Sequence, residues 1–399
     1  MPKQRYPKTV VEILNKSLGL VAEVRNLYPI NKGGMVLRYS DELSDYGTCM
    51  FRIATKDPLL TTFGDILVPH KYHVRIKRGG TTVWQGAIID NIERNKNYIE
   101  VKAAQYEYYL DKMLIRRDTS APSGADTSTD SWKNYRTLSS GTMATNLTTI
   151  INNAIADFGS NHVLGAMTVG TIENPDYPAG FVDSGGVSLT GGWTFTDFVS
   201  LRFDYHTVQY ALEAFGIYTN ADYEIDNTLT FNFKKFLGRK EPQLTLEYGT
   251  FGNIVDYNLP RLGGRMVNDM WGIAAEEDGT ILNLTLRNEP SILEYGLLMG
   301  AQAFGDVKTK NELKKRLYEE LQYVKSPEDS PVNLVLNEKS YPLGQYQVGD
   351  IVTVRIKDYN IDFKKWRRIV GITVTLHNTG REMITVQTNR PRDEDIGAE

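Results

Sequence analysis

Short alternations of apolar and polar residues dominate the two ends of the chain. Val36–Tyr39, Met50–Ala54, Tyr72–Lys77 and Thr82–Trp84 carry a period of two and predict strands, with Gly79-Gly80 as a turn. Ala87–Glu93 and Tyr98–Ala103 predict a further hairpin around Asn95-Lys96-Asn97. This β-rich block runs to about Arg117. The pattern then breaks. Asp118–Ser131 is almost entirely Ser, Thr, Asp, Gly, Ala and Pro, which reads as a solvated loop. Met143, Leu147, Ile150, Ile151, Ile155 and Phe158 recur at three- to four-residue spacing and predict a helix over Thr142–Phe158, stopped by Gly159.

Ile172–Trp193 is rich in Gly and Pro and too long for an ordinary connection; it reads either as a surface flap packed on its own domain or as a projecting loop that contacts a neighbouring subunit or tail protein and rearranges. A second helix is predicted over Thr207–Phe215, ended by Gly216. A hairpin follows, Tyr223–Ile225 and Leu229–Phe233 around Asp226-Asn227. Strand periodicity returns from about Leu244. Met266–Ala275 and Ile281–Leu286 flank the turn Glu276-Glu277-Asp278-Gly279. A third helix is expected over Lys310–Val324, with Thr309 and Glu312 as a capping box and Leu313, Leu317, Leu321 and Val324 as its stripe. Val332–Thr388 is again strands. The fold class expected is mainly β with α+β insertions: two similar β-barrel-like domains, residues 1–117 and 244–399, flank an α+β middle region, 118–243.

The two ends echo one another. Gly64-Asp65-Ile66, Val74-Arg75-Ile76-Lys77, Trp84 and the strand Ala87–Ile92 recur in order as Gly349-Asp350-Ile351, Val354-Arg355-Ile356-Lys357, Trp366 and Ile369–Val374. A closing strand ends each copy, Tyr98–Val101 and Met383–Val386. That order points to an internal duplication.

Composition narrows the classes. Of 399 residues, 41% are hydrophobic and 24% charged, so most of the chain can bury a core. The formal charge of −4 argues against a nucleic-acid-coating protein. The single cysteine, Cys49, excludes intrachain disulfides and multi-cysteine zinc sites. No apolar run is long enough for a membrane helix, and Met1–Lys8 does not open a Sec-type leader.

No catalytic motif is found: neither a zincin pair, nor a nucleophile elbow, nor a phosphate loop. His70 and His73 invite a metal reading, but on a strand they would face opposite ways, and they read as surface histidines. Asp204 and His206 read as a helix-flanking pair. Glu276, Glu277 and Asp278 read as a charged turn rather than a glycosidase cluster. Lys314, Lys315 and Arg316 with Glu319 and Glu320 read as a polar helix face. Tyr106, Tyr108 and Tyr109 with Arg116-Arg117 could stack on bases or sugars, but fit better as an amphipathic element closing the first domain. No catalytic, cofactor or metal residue is therefore assigned, and no cofactor is expected.

Four segments carry a family likeness: Tyr106-Glu107-Tyr108-Tyr109-Leu110-Asp111 at the end of the first β block; the helix Thr207–Phe215 with its following hairpin; Tyr248-Gly249-Thr250-Phe251-Gly252-Asn253-Ile254; and Ser291–Gly296 before a helix, with Leu343-Gly344 and Val348-Gly349-Asp350 turning into the last strands. Their order resembles the tail-tip (baseplate) hub proteins of long-tailed bacteriophages. The resemblance implies a non-enzymatic homotrimer whose six barrel-like modules let a threefold hub meet a sixfold tail tube. It implies contacts with distal tail ring, tail tube and fibre or receptor-binding proteins, transient contact with DNA in the channel, and a place at the virion tail tip after assembly in the host cytoplasm. The alternative class is a β-rich carbohydrate-binding adhesion protein; an enzyme with an unrecognised site is the third.

Overall fold

The computed structural model describes residues 8–115, 135–136, 142–174, 203–204, 207–219, 221–250, 252–260, 266–275, 279–305, 331–337, 343–359 and 361–391, with isolated positions in between. The first module is built from β1 (Thr9–Leu14), β2 (Leu20–Val24), the short β3 (Leu27–Tyr28), β4 (Met35–Glu42), β5 (Thr48–Ala54), the single-turn α1 (Pro58–Phe63), β6 (His73–Arg78), β7 (Thr81–Arg94) and β8 (Tyr98–Ala104). A 3-10 helix, Tyr106–Lys112, leads out of it. The middle region holds β9 (Tyr135–Arg136), α2 (Met143–Phe158), a 3-10 turn at Val163–Ala166, β10 (Thr168–Ile172), β11 (Phe203–Asp204), α3 (Val208–Thr219), β12 (Asp222–Ile225) and β13 (Thr230–Lys234). Then come β14 (Lys240–Tyr248), β15 (Ile254–Asn258), β16 (Asp269–Ala275), β17 (Ile281–Arg287), α4 (Glu289–Tyr295), β18 (Met299–Ala303), β19 (Val332–Leu336), β20 (Ile351–Asp358), β21 (Ile361–His377) and β22 (Glu382–Asn389).

The fold is mainly β, with two barrel-like modules and α+β material between. In the second module β21-β20-β14-β15-β19-β22 closes on itself through the β21–β22 pair, giving a six-stranded barrel. The first is a curved sheet, β2-β1-β6-β7-β8-β5-β4. The Trp84 indole N–H reaches from β7 to the Ser40 carbonyl of β4 at 2.9 Å, tying the curl across the core. Edge strand β4 pairs antiparallel with β21, from Glu42 opposite Gly371 to Met35 opposite His377. The two modules thus form one continuous sheet. Their inward residues, from Val11 to Val386, make one apolar core.

The echo has a structural counterpart. β5-β8-β7-β6 and β19-β22-β21-β20 are adjacent in the same order, every pair antiparallel. Val74 and Ile76 point inward on β6, as Val354 and Ile356 do on β20. The arginine between them meets a carboxylate on the next strand in both copies: Glu12 lies opposite Arg75, and Glu247 opposite Arg355. That next strand departs from the repeat, because β1 runs antiparallel to β6 and β14 runs parallel to β20. The tryptophans also differ. Trp84 is opposite Ile76 and fully buried, whereas Trp366 is opposite Thr353 on the outer face and 36% exposed. Phe363, opposite Ile356, takes the inward place instead.

Several boundaries move. Thr82–Trp84 and Ala87–Glu93 belong to one long strand, β7. Gly86 lies within it because a side chain there would overlap the Ala104 backbone of β8. α3 passes through Gly216 to Thr219, since its buried face with Val208, Ala211, Leu212 and Phe215 outweighs the glycine cost of about 1 kcal/mol. Ser291–Gly296 is itself helical or caps a helix, and a strand, β18, follows it. α2 matches its period, with the Thr142 hydroxyl accepting the Thr145 N–H at 3.2 Å. Met143, Leu147, Ile150 and Ile151 of α2 join Tyr106, Tyr109, Phe215, Phe231 and Phe233 in a second core. A third core lies under the small sheet β17-β16-β18, where Leu313, Leu317 and Leu321 of a helical segment are buried. Asp118–Ser131 and most of Ile172–Trp193 lie outside the described residues, as do Thr309 and Glu312.

Gly238 (φ +111°) and Gly349 (φ +91°) pack backbone to backbone where β14 and β20 begin. A Cβ on Gly238 would overlap Gly349, while one on Gly344 (φ +103°) meets nothing within 4 Å. Gly344→Ala is expected to cost about 1–2 kcal/mol through its backbone angle alone. Gly238→Ala is expected to cost clearly more, and urea unfolding of the two variants measures the difference.

Candidate functional site

Among the described residues no group of three or more His, Cys, Asp or Glu is arranged to hold a metal, and no helix is long and apolar enough to cross a membrane. Cys49 is buried in the core, which pushes its thiol pKa up. Among the described residues, polar seams lie where the modules meet, and the small sheet β17-β16-β18 carries an exposed apolar face.

The first seam joins β12 of the middle region to β21 of the second barrel. Asp222 and Arg368 are both buried and form an ion pair at 2.6 Å. Arg368 also donates to the Leu237 and Gly349 carbonyls and lies 4.7 Å over the Phe236 ring. Asp222 accepts from the Leu237 N–H. Beside it, buried Asp350 accepts from the Arg239 backbone and guanidinium, both at 2.7 Å, and from the Gln347 N–H. A second seam buries Glu382 of β22 against Arg78 of β6 at 2.9 Å, with the Thr9 hydroxyl on its other oxygen. Of these residues only Asp350 had a motif in the sequence, the Gly349-Asp350-Ile351 echo. The signal of the others is a charge at an apolar position, as in Arg367-Arg368-Ile369-Val370.

The third seam lies on the 3-10 helix. Tyr106 and Tyr109 are buried, so the helix closes the first module with its rings inward. Glu107 is buried beside them, one oxygen accepting the Ile225 N–H of β12 at 2.7 Å and the other with no partner. Burial and the nearby charges of Asp41 and Glu224 push Glu107 up to about 8, despite that hydrogen bond. Glu42 is pushed up to about 7 by burial, then by Asp41 and Asp45.

The histidines need correction. His70 is on the surface as expected, but in a turn at φ +59° and not on a strand, whereas His73, the first residue of β6, is 1% exposed rather than on the surface. β6 is flanked on both sides and covered by Tyr106, which removes His73 from solvent. His162, 89 positions further on, packs edge-on to Tyr109 at 4.6 Å. The structure does not extend this to His206, Glu276, Glu277, Asp278, Arg116 or Arg117, which lie outside the described residues.

The exposed apolar face belongs to β17-β16-β18. Trp271 is 50% exposed, Met299 69% and Ile281 68%, and Ile273 lies beside them on the side opposite the Leu313–Leu321 helical segment. Leu293 on α4 is almost fully exposed nearby in the chain.

No family model matches this sequence, and no curated protein matches it. Solved structures do. A tail protein from Neisseria meningitidis MC58 superposes with a TM-score of 0.59 at 11% identity, covering 96% of each chain. The 43 kDa tail protein of prophage MuSo2 from Shewanella oneidensis gives 0.59 at 12% identity, over 96% of this chain and 98% of its own. Prophage tail protein gp18 from Listeria monocytogenes EGD-e gives 0.55 at 11% identity, over 97% of each. The chain has the fold of phage tail proteins along nearly its whole length, in keeping with the hub resemblance of its sequence.

Two outcomes follow from the seams. Asp222→Asn leaves Arg368 buried without its counter-charge and is expected to cost about 3–5 kcal/mol in denaturant unfolding. Glu107 carries a raised folded-state pKa, so the folded chain holds a proton that the unfolded chain releases above the ordinary glutamate value of about 4.3. Stability from this group is complete at low pH and is lost as pH rises through about 8. Glu107→Gln is expected to flatten that decline, between about pH 4.3 and 8, in melts recorded across pH; an unchanged decline would place its origin elsewhere.

Proposed function

We propose that this chain is a structural, non-enzymatic subunit of a phage tail tip: a hub protein that forms a homotrimeric ring between the sixfold tail tube and the tip and caps or lines the DNA channel. The observation that carries the reading is the duplicated four-strand unit, with its matched Glu12–Arg75 and Glu247–Arg355 pairs, in a chain of phage tail protein fold. Two such modules per subunit give six in a trimer, the arrangement that adapts threefold to sixfold symmetry. Edge-to-edge joining of β4 to β21 supports it, because one sheet holds both modules at a fixed angle. We assign the module boundaries near residues 117 and 243. The distal tail ring, tail tube and fibre or receptor-binding proteins are the neighbours of this reading, with DNA passing transiently through the ring. Its place is the virion tail tip, after assembly in the host cytoplasm.

The uncovered face of β17-β16-β18 supports assembly as well, since contiguous exposed apolar side chains mark contact surfaces. The buried state of Tyr106 and Tyr109 removes two of the aromatic rings that a sugar-binding reading would use.

Negative-stain images and mass measurement of the purified full chain, and of tails carrying it, test the proposal. Rings with three subunits in either preparation are expected. A monomer in solution together with a copy number in tails that is not a multiple of three would overturn it. Trp271→Lys is expected to weaken assembly without changing the melting temperature.

A further inference from the structure

We propose that His73 and His162 form an acid-sensitive joint, with His70 beside them: charging His73 and His162 releases the helical layer, α2 with the 3-10 turn Val163–Ala166, from the first sheet while the sheet stays folded. Three of the chain's five histidines meet here, drawn from segments far apart in sequence. His73 and His162 each do a job that the neutral form alone can do. His73 is buried 5.8 Å from the Tyr106 ring, and its Nδ1 has no partner, so a charge there would stand unsolvated and unpaired. His162 lies flat on Phe158, ring centres 4.3 Å apart, and edge-on to Tyr109. Its Nδ1 accepts the Leu164 N–H at 3.2 Å and caps the 3-10 turn. Protonation of that nitrogen replaces an acceptor with a donor facing another donor. His70 Nδ1 is 3.2 Å from the Tyr109 hydroxyl, so Tyr109 touches histidines from both sides of the joint.

Most of the charges around the joint are positive or already engaged. On the first sheet, Arg75 and Lys77 are engaged by Glu12, and Lys71 lies over Tyr72. Lys16, in the β1–β2 turn, reaches Asn161. On the 3-10 helix, Asp111 pairs with Lys112, and Glu107 is turned to the Ile225 N–H and holds its proton in acid. Asp157 stands exposed on α2. Burial, then His162 and His70, push His73 down to about 4; burial, then His70, lower His162. A base whose folded pKa is depressed takes up protons on opening. Stability of the joint is therefore complete above the ordinary imidazole value of about 6.5 and falls as pH drops from there toward 4.

Amide hydrogen exchange on the full chain tests this, with rates corrected for the intrinsic pH dependence. Between about pH 7.5 and 4.5, protection of 143–158 and 163–166 is expected to fall at least about tenfold relative to β5 and β8. The double variant His73→Gln, His162→Gln is expected to lose that difference. Parallel loss in the helical layer and in β5 and β8, or the same acid response in the double variant, would overturn the proposal. Should the double variant fail to fold, His162→Gln alone, at the half-buried rim, is read the same way. Imidazole titration of the wild-type chain by NMR is the independent readout: His73 and His162 titrating near 6.5 with the fold intact would also overturn it.

Discussion

The β4–β21 pairing is the contact on which the rest of the molecule rests. It turns an open sheet and a closed barrel into one surface, and lets their inward residues share a single core. Without it β4 would present an unpaired edge to solvent, a standing hazard for aggregation. The Arg78–Glu382 pair and the Thr9 hydroxyl brace the same two modules at a second place. With both in position, the angle between the duplicated units is set by hydrogen-bond geometry rather than by a linker.

The middle region is held differently. Its own core is separate, and it meets the modules through polar groups, some buried and some at the rim: Asp222 with Arg368, Glu107 with the Ile225 N–H, Tyr109 with His70 and His162. Such contacts add little net stability compared with apolar packing, but they are unforgiving of misplacement. They also make the region's docking depend on charge state. Carboxylates with raised pKa values favour it in acid, while histidines with depressed ones oppose it below the imidazole range. A subunit whose cores are apolar and whose seams are ionisable can shift one layer without unfolding the others.

Much of this was legible along the chain where structure is local. The 3.6 period of Met143–Phe158 and the Thr142 cap placed α2, and the glycines at 79 and 80, both at positive φ, placed the β6–β7 turn. Asn95 confirms its turn by accepting the Asn97 and Tyr98 N–H groups. Even the duplication was visible, because Val-Arg-Ile-Lys serves the same inward and outward pattern twice. Local signals misled where tertiary contact overrides them: Thr82–Trp84 and Ala87–Glu93 looked like separate strands, Gly216 like the end of α3, and Trp366 like the partner of Trp84.

By itself, then, the sequence determined many of the strands and the helices α2 and α3, which of their faces are apolar, and that the ends repeat. These depend on side-chain periods and backbone preferences within a few residues of each position. Only the tertiary structure decided that β4 chooses β21, that one module closes and the other stays open, and that Arg368 finds Asp222 across 146 positions. It alone brought His162 to His70 and His73. Those outcomes depend on which distant groups can satisfy one another once water is excluded, and a lone buried charge or imidazole carries no mark of its partner in the chain around it.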